Sequence, residues 1–158
     1  THLICKLIKI FTKSKGKIRL SKKSNTLRNN QNDLLKLIIK ALTLKLNTAY
    51  FDGFQNESIG QIGIFYTIFL LNIHGSKTMP VKFYSNKYLE IFPEFIKQIE
   101  ESEFSSKLDM FEHCYSIRSF HRCLNYLGIL KINKHSIFRI NSVMPNNLFF
   151  KLFEFKTN

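Results

Sequence analysis

The stretch that most constrains how this chain can fold is Tyr115–Asn141, YSIRSFHRCLNYLGILKINKHSIFRIN. Ile117, Phe120, Leu124 and Leu127 recur at helical spacing and make one apolar stripe, while Arg118, Arg122 and Asn125 share that spacing on a different face. Gly128 comes directly after and is the residue type that tolerates the positive φ ending a helix. Two β-prone runs follow, Ile129–Ile132 and Ile137–Ile140, separated by Asn133-Lys134-His135-Ser136. The pattern predicts a helix with a basic outer face, then a tight hairpin with a basic tip.

The rest of the chain reads as mostly helical. Leu3–Phe11 predicts a short helix, Gly16 breaks it, and Lys17–Leu20 alternates basic and apolar residues as a strand does. Ser21–Asn32 is polar and reads as a loop; Asn32 or Asp33 then caps a helix through Leu34–Leu46. Asn47–Asn56 is a turn region containing Asp52-Gly53, and Glu57–Ile73 is the most apolar helix, with Gly60 and Gly63 on it. Gly75 is its expected C′ residue. Val81–Tyr84 reads as a strand or link, Ser85 or Asn86 caps Lys87–Phe92, Pro93 opens another helix, and Ser105 or Ser106 caps Lys107–Cys114. Pro145–Phe153 closes the chain with a further helix. Six to eight helices and a small hairpin near 129–141 are expected, with Phe65, Ile68, Phe69, Phe111, Phe120, Leu124 and Leu127 in the core.

At 158 residues and 44% apolar content the chain can bury a core of one domain or of two small units. It divides on this reading into 1–80 and 81–158, sharing one core. It begins at Thr1 without Met and with a helix almost at once, which reads as part of a longer protein. No 18-residue apolar run suggests a membrane span, so no membrane partner is expected. Three cysteines without a CxxC pair, Cys5, Cys114 and Cys123, argue for a reducing, cytoplasmic setting. The spacing of His113, Cys114, His121 and Cys123 fits no zinc pattern, so no metal or cofactor is expected.

Charge is segregated. Residues 1–45 hold twelve Lys/Arg and one acid, residues 46–113 five Lys and nine acids, and residues 114–158 seven Lys/Arg and one acid. Lys13, Lys15, Lys17, Arg19, Lys22 and Lys23 place six cations in eleven residues with no acid among them. Basic clusters condense on polyanions by releasing counterions, so nucleic acid is the leading partner class.

Helix, turn, helix and hairpin over Lys107–Asn141 resembles the tandem winged-helix-like regions of uncharacterised bacterial proteins, most clearly in RSFHRCLNYLGILKI (Arg118–Ile132). The N-terminal helix and strand read as a degenerate copy of the same unit. The resemblance implies a mostly α, winged-helix-like fold and no particular activity. No GxSxG, Walker A, HExxH or Gly-rich phosphate loop is present, and a non-enzymatic module is expected. Two function classes follow. In a duplex-DNA-binding module, Arg118, Arg122 and Asn125 reach the major groove. Lys131, Lys134 and Arg139, with Lys15, Lys17, Arg19, Lys22 and Lys23, complete the basic surface. In a protein-interaction or structural domain, an exposed apolar patch including Tyr84, Tyr88 or Phe149 docks a partner.

Overall fold

Helix is the commonest state, about 56% of the described residues when 3-10 and π-helical turns are counted with the eight α-helices, and two small antiparallel sheets accompany it. The computed structural model describes residues 2–54, 56–100, 103–136 and 139–155. The chain divides into two compact units, Thr1–Leu46 and Asn47–Asn158, so the boundary expected near residue 80 falls inside the second unit.

In the first unit, α1 (His2–Leu7) stops sooner than the apolar run suggests. Lys9 adopts φ +58°, and the Lys9 and Ile10 N–H groups donate to the Lys6 and Cys5 carbonyls, a Schellman closure with Lys where Gly is usual. The released residues form β1 (Phe11–Ser14), antiparallel to β2 (Lys17–Leu20). Their two-residue link, Lys15-Gly16, has φ +48° and +74°, the double positive φ of a type I′ turn whose twist matches the strands. The stretch expected to be a loop contains α2 (Lys22–Arg28). Its only buried side chain is Leu27, too little apolar content to leave a periodic signal. In α3 (Gln31–Leu44) the cap is Asn30, whose side chain accepts from the Asp33 N–H and donates to the Asp33 carboxylate. Both α1 and α2 pack on α3.

The second unit opens with a 3-10 turn, Thr48–Phe51, capped by the Asn47 side chain. Next comes α4 (Ile64–His74), which starts seven residues later than expected because Gly60 and Gly63 both adopt φ +75° and lie before it. Gly63 also faces the Phe92 ring, which a Cβ would meet at 2.6 Å. At the other end Gly75 has φ −83°, so no left-handed cap is needed; it is small because the Pro145 ring would lie 2.5 Å from a Cβ there. The strand β3 (Met79–Pro80) leads straight into α5 (Val81–Ile91), so the helix starts six residues before Lys87, and Pro80 stands at its N-cap. After α6 (Glu94–Lys97), opened by Pro93, Ser106 caps α7 (Lys107–Tyr115) by accepting from the Asp109 N–H at 3.2 Å.

No turn follows α7: Ser116 keeps right-handed helical angles and the chain runs on as a π-helical stretch, Ser116–Leu124. Gly128, with φ +68°, ends the short 3-10 turn Asn125–Leu127 as expected. The hairpin lies where it was predicted, but its strands are β4 (Leu130–Lys134) and β5 (Ile140–Pro145). Ile137 lies outside the described residues. In the sheet, β5 is central in the order β3-β5-β4, and Pro145, which cannot donate to a ladder, sits at its last position. The terminal helix α8 (Asn147–Leu152) is capped by Asn146.

The core of this unit is aromatic. Tyr84, Tyr88, Phe111, Tyr115, Phe120 and Phe149 are buried around Ile68, Leu71 and Leu124. Phe120 meets the Tyr84 and Tyr115 rings edge-on, with centroids 5.6 and 5.4 Å away, and the Tyr115 hydroxyl lies 3.0 Å from Thr67 Oγ1. Four of the seven predicted core residues, Ile68, Phe111, Phe120 and Leu124, are buried; Leu127 is half-buried, and Phe65 and Phe69 face outward. Among the described residues no helix is long and apolar enough to cross a membrane.

Candidate nucleic-acid interface

The eleven cationic and polar residues singled out from sequence separate into a buried set, a set on the second hairpin and a set in the first unit. Arg118 belongs to the buried set, a correction to its expected place on an outer face. Continued from α7 at α-helical spacing, Arg118 falls in line with Phe111, Cys114 and Tyr115, and all four are buried. The i→i+5 bonding of the π-helical stretch, seen where the Asn125 N–H donates to the Phe120 carbonyl, adds residues to each turn and rotates the faces. Within that stretch Phe120, Cys123 and Leu124 are buried as well, and Ile117 is left half-exposed.

The Arg118 side chain is 0% exposed and its five N–H donors meet five acceptors. Nε donates to Asp52 Oδ2 at 2.9 Å and Nη2 to Asp52 Oδ1 at 2.8 Å, a bidentate pair. Nη2 also reaches the Phe54 carbonyl at 3.3 Å, and Nη1 reaches the carbonyls of Asn56 and Ile59. The Phe54 ring lies 5.8 Å from the guanidinium carbon. Arg122 is half-buried and donates through Nη1 to the Thr48 carbonyl at 2.9 Å and Asp52 Oδ2 at 3.0 Å. The two arginines therefore hold the 48–59 segment against the helix. A Cβ on Gly60 would lie 2.9 Å from Arg118 Cβ, so that segment also needs glycine at its end. Sequence reasoning missed Asp52, which reads as an ordinary Asp-Gly turn residue and carries no spacing signal toward residues 66 and 70 positions away. Asn125, in the 3-10 turn, is half-buried.

On the second hairpin Lys131 and Lys134 are exposed. Lys134 Nζ lies 3.3 Å from Nε2 of His121, a residue not picked out as basic surface; partial desolvation of the ring, Lys134 and Arg122 together lower the His121 pKa. Arg139 is exposed and forms a 3.6 Å ion pair with Asp109, so its charge is partly met within the chain.

The first unit carries +11 of the formal +13, since its one acid is Asp33. Lys13, Lys15, Lys17, Arg19, Lys22 and Lys23 are all exposed, and among the described residues none has an ion pair. The first four stand on the β1–β2 ribbon and the last two open α2 immediately after it. On the ribbon, Thr12 pairs with Arg19 and Ser14 with Lys17, while Phe11 pairs with Leu20 and Lys13 with Ile18. Ile18 and Leu20 are 61% and 72% exposed. Phe11 is half-exposed, with the His2 ring 4.9 Å away.

Tyr84, Tyr88 and Phe149, expected as a docking patch, are buried. The outward apolar surface lies instead on and before α4, where Ile62, Phe65, Phe69 and Ile73 are exposed and the Phe155 ring meets Phe69 edge-on at 5.6 Å. Cys114 and Cys123 are buried and Cys5 is half-exposed.

No protein-family model matches the chain, and no curated protein or solved structure matches it at a significant level.

Proposed function

We propose that this chain is a non-enzymatic, duplex-DNA-binding module of winged-helix type, whose polyanion contact is carried by the Lys13–Lys23 cluster of the first unit. The observation that carries the reading is that cluster: six exposed cations on a ribbon and the helix after it, none with an ion pair among the described residues. Packing them so closely costs Coulomb energy that a row of phosphates relieves, with counterions released to solvent.

The winged-helix part of the reading draws support from the second unit's order: α4, β3, α5, α7 with its π-helical continuation, β4 and β5. The first of these strands pairs with the last, and the last with its hairpin partner. On this reading the β4–β5 hairpin is the wing, and Lys131 and Lys134 supply secondary phosphate contacts. The helix that would enter a groove has Arg118 and Arg122 engaged by Asp52, so these two side chains are assigned to the fold and not to DNA.

The test is a titration of labelled duplex DNA at several salt concentrations. Each phosphate contact contributes about 0.9 to the slope of log affinity on log salt, so the six-cation cluster predicts a slope of up to about 5 in magnitude. No binding at low salt would remove the reading. It would leave ahead the alternative of a protein-interaction or structural domain of a larger protein, which the exposed stripe Ile62, Phe65, Phe69 and Ile73 favours.

A further inference from the structure

We infer that the ribbon meets duplex DNA through one of its two faces, that of Thr12, Ser14, Lys17 and Arg19, seated in the major groove, with the Phe11, Ile18 and Leu20 face turned away; this rests on the DNA-binding reading above. Directly paired residues of an antiparallel ribbon point to the same side, and the sides alternate along each strand. The register therefore sorts the eight strand residues into two sets. One holds Thr12, Arg19, Ser14 and Lys17: two cations and two hydroxyls, all exposed, with no large apolar side chain. The other holds Phe11, Leu20, Lys13 and Ile18: one cation among three large apolar groups.

Only the first set has the chemistry of a groove. Arg and Lys donate to phosphates or to guanine O6 and N7, and Ser and Thr hydroxyls donate or accept at base edges and phosphates. The second set would desolvate its Phe, Ile and Leu against charged backbone with Lys13 alone to offer donors.

Size agrees. The major groove of B-DNA is about 12 Å wide and admits a two-stranded β-ribbon, whereas the minor groove is about 6 Å wide. Four residues at about 3.4 Å each make a ribbon whose strands run about 10 Å from first Cα to last, roughly three base-pair steps. At the tip, Lys15 is positioned for phosphate by its exposed place in the turn, and Lys22 and Lys23 continue the charge from the other end of β2.

The same face argues for duplex over single strand. Single-stranded nucleic acid is held by aromatic platforms on which successive bases stack. The polar face has no ring; the ribbon's one aromatic, Phe11, belongs to the opposite face and lies against His2.

The experiment uses the full chain with a mixed-sequence duplex and a single strand of equal length, read by fluorescence anisotropy over a salt series. Lys17→Ala/Arg19→Ala and Ile18→Ser/Leu20→Ser are compared with wild type, with circular dichroism to check the fold, and methyl green and netropsin serve as major- and minor-groove competitors. The inference expects the cation variant to lose about 1.8 from the salt slope, the apolar-face variant to bind within twofold of wild type, methyl green to compete and netropsin not to. The duplex should bind at least tenfold tighter than the single strand. Wild-type binding that survives Lys17→Ala/Arg19→Ala unchanged would overturn the face assignment and leave DNA binding standing, whereas no wild-type binding would remove both. Loss of binding in Ile18→Ser/Leu20→Ser, or displacement by netropsin, would also overturn it. So would capture of the chain by anionic vesicles in preference to duplex, abolished by that same variant.

Discussion

Removing the Asp52 carboxylate is the sharpest perturbation of the second unit. Asp52→Ala leaves the Arg118 guanidinium, fully buried and permanently charged, with carbonyl acceptors only. Breaking a buried ion pair by deleting one partner costs about 3–5 kcal/mol, because the remaining charge is uncompensated. The upper part of that range is expected, since Asp52 answers two arginines and its side chain is only 5% exposed. At roughly 4 °C per kcal/mol for a unit of this size, Tm should fall by about 16–20 °C. The double change Asp52→Ala/Arg118→Met removes the charge together with its partner and should recover most of the loss. Thermal and urea unfolding followed by circular dichroism would measure both. A single-variant loss below about 1 kcal/mol, or a double variant no more stable than the single, would refute the buried clamp between the 48–59 segment and the helix.

Three further outcomes are expected. Phe120→Ala should cost about 3–5 kcal/mol in urea unfolding, because the ring is fully buried between Tyr84 and Tyr115. Lys15→Asn should stabilise the first unit by up to about 1 kcal/mol while weakening DNA binding, since Asn tolerates the left-handed φ that Lys15 holds and Asn-Gly is the preferred I′ pair; equal stability of the two proteins would count against the turn. For His121, burial, Lys134 and Arg122 lower the folded-state pKa, so the unfolded chain takes up its proton first. The contribution from this group is present above the ordinary histidine pKa of about 6.5 and is lost as pH falls through the folded value. Stability should therefore drop more between pH 7.5 and 5.5 in wild type than in His121→Gln, and identical profiles would contradict the lowered His121 pKa.

Much of the element order was legible because local rules dominate it. The Ser106 cap, Gly128 at the helix end, Pro93 before α6 and the existence of a hairpin after residue 129 all follow from single residues with one preferred backbone role. The losses have different causes. Along α4 almost every side chain is apolar, so periodicity could not choose between Ile68, which is buried, and Phe65 and Phe69, which are not. At α1 a lysine performs the left-handed stop that a sequence reader assigns to glycine. The ribbon is half legible: Lys17–Leu20 alternates clearly, but Phe11 reads as the end of the first helix and Thr12-Lys13-Ser14 carries no apolar alternation. Arg118 and Arg122 read as outward residues because a turn is expected before them; the helix runs on instead, and Arg118 falls in line with Phe111, Cys114 and Tyr115 on the buried face. Their partner, Asp52, is joined to them only by the tertiary fold.

The central claim, that polyanion contact resides in the first unit's cluster and not on the helix of Arg118, is tested most directly by lysine acetylation of the full chain with and without bound duplex, read residue by residue by mass spectrometry. The predicted result is strong protection of Lys15, Lys17, Lys22 and Lys23, with weaker protection of Lys13, on the ribbon's opposite face, and of Lys131 and Lys134, and unchanged reactivity at Lys77 and Lys97, which are exposed outside both surfaces. Protection confined to Lys131 and Lys134, with the ribbon lysines as reactive as in the free chain, would contradict it.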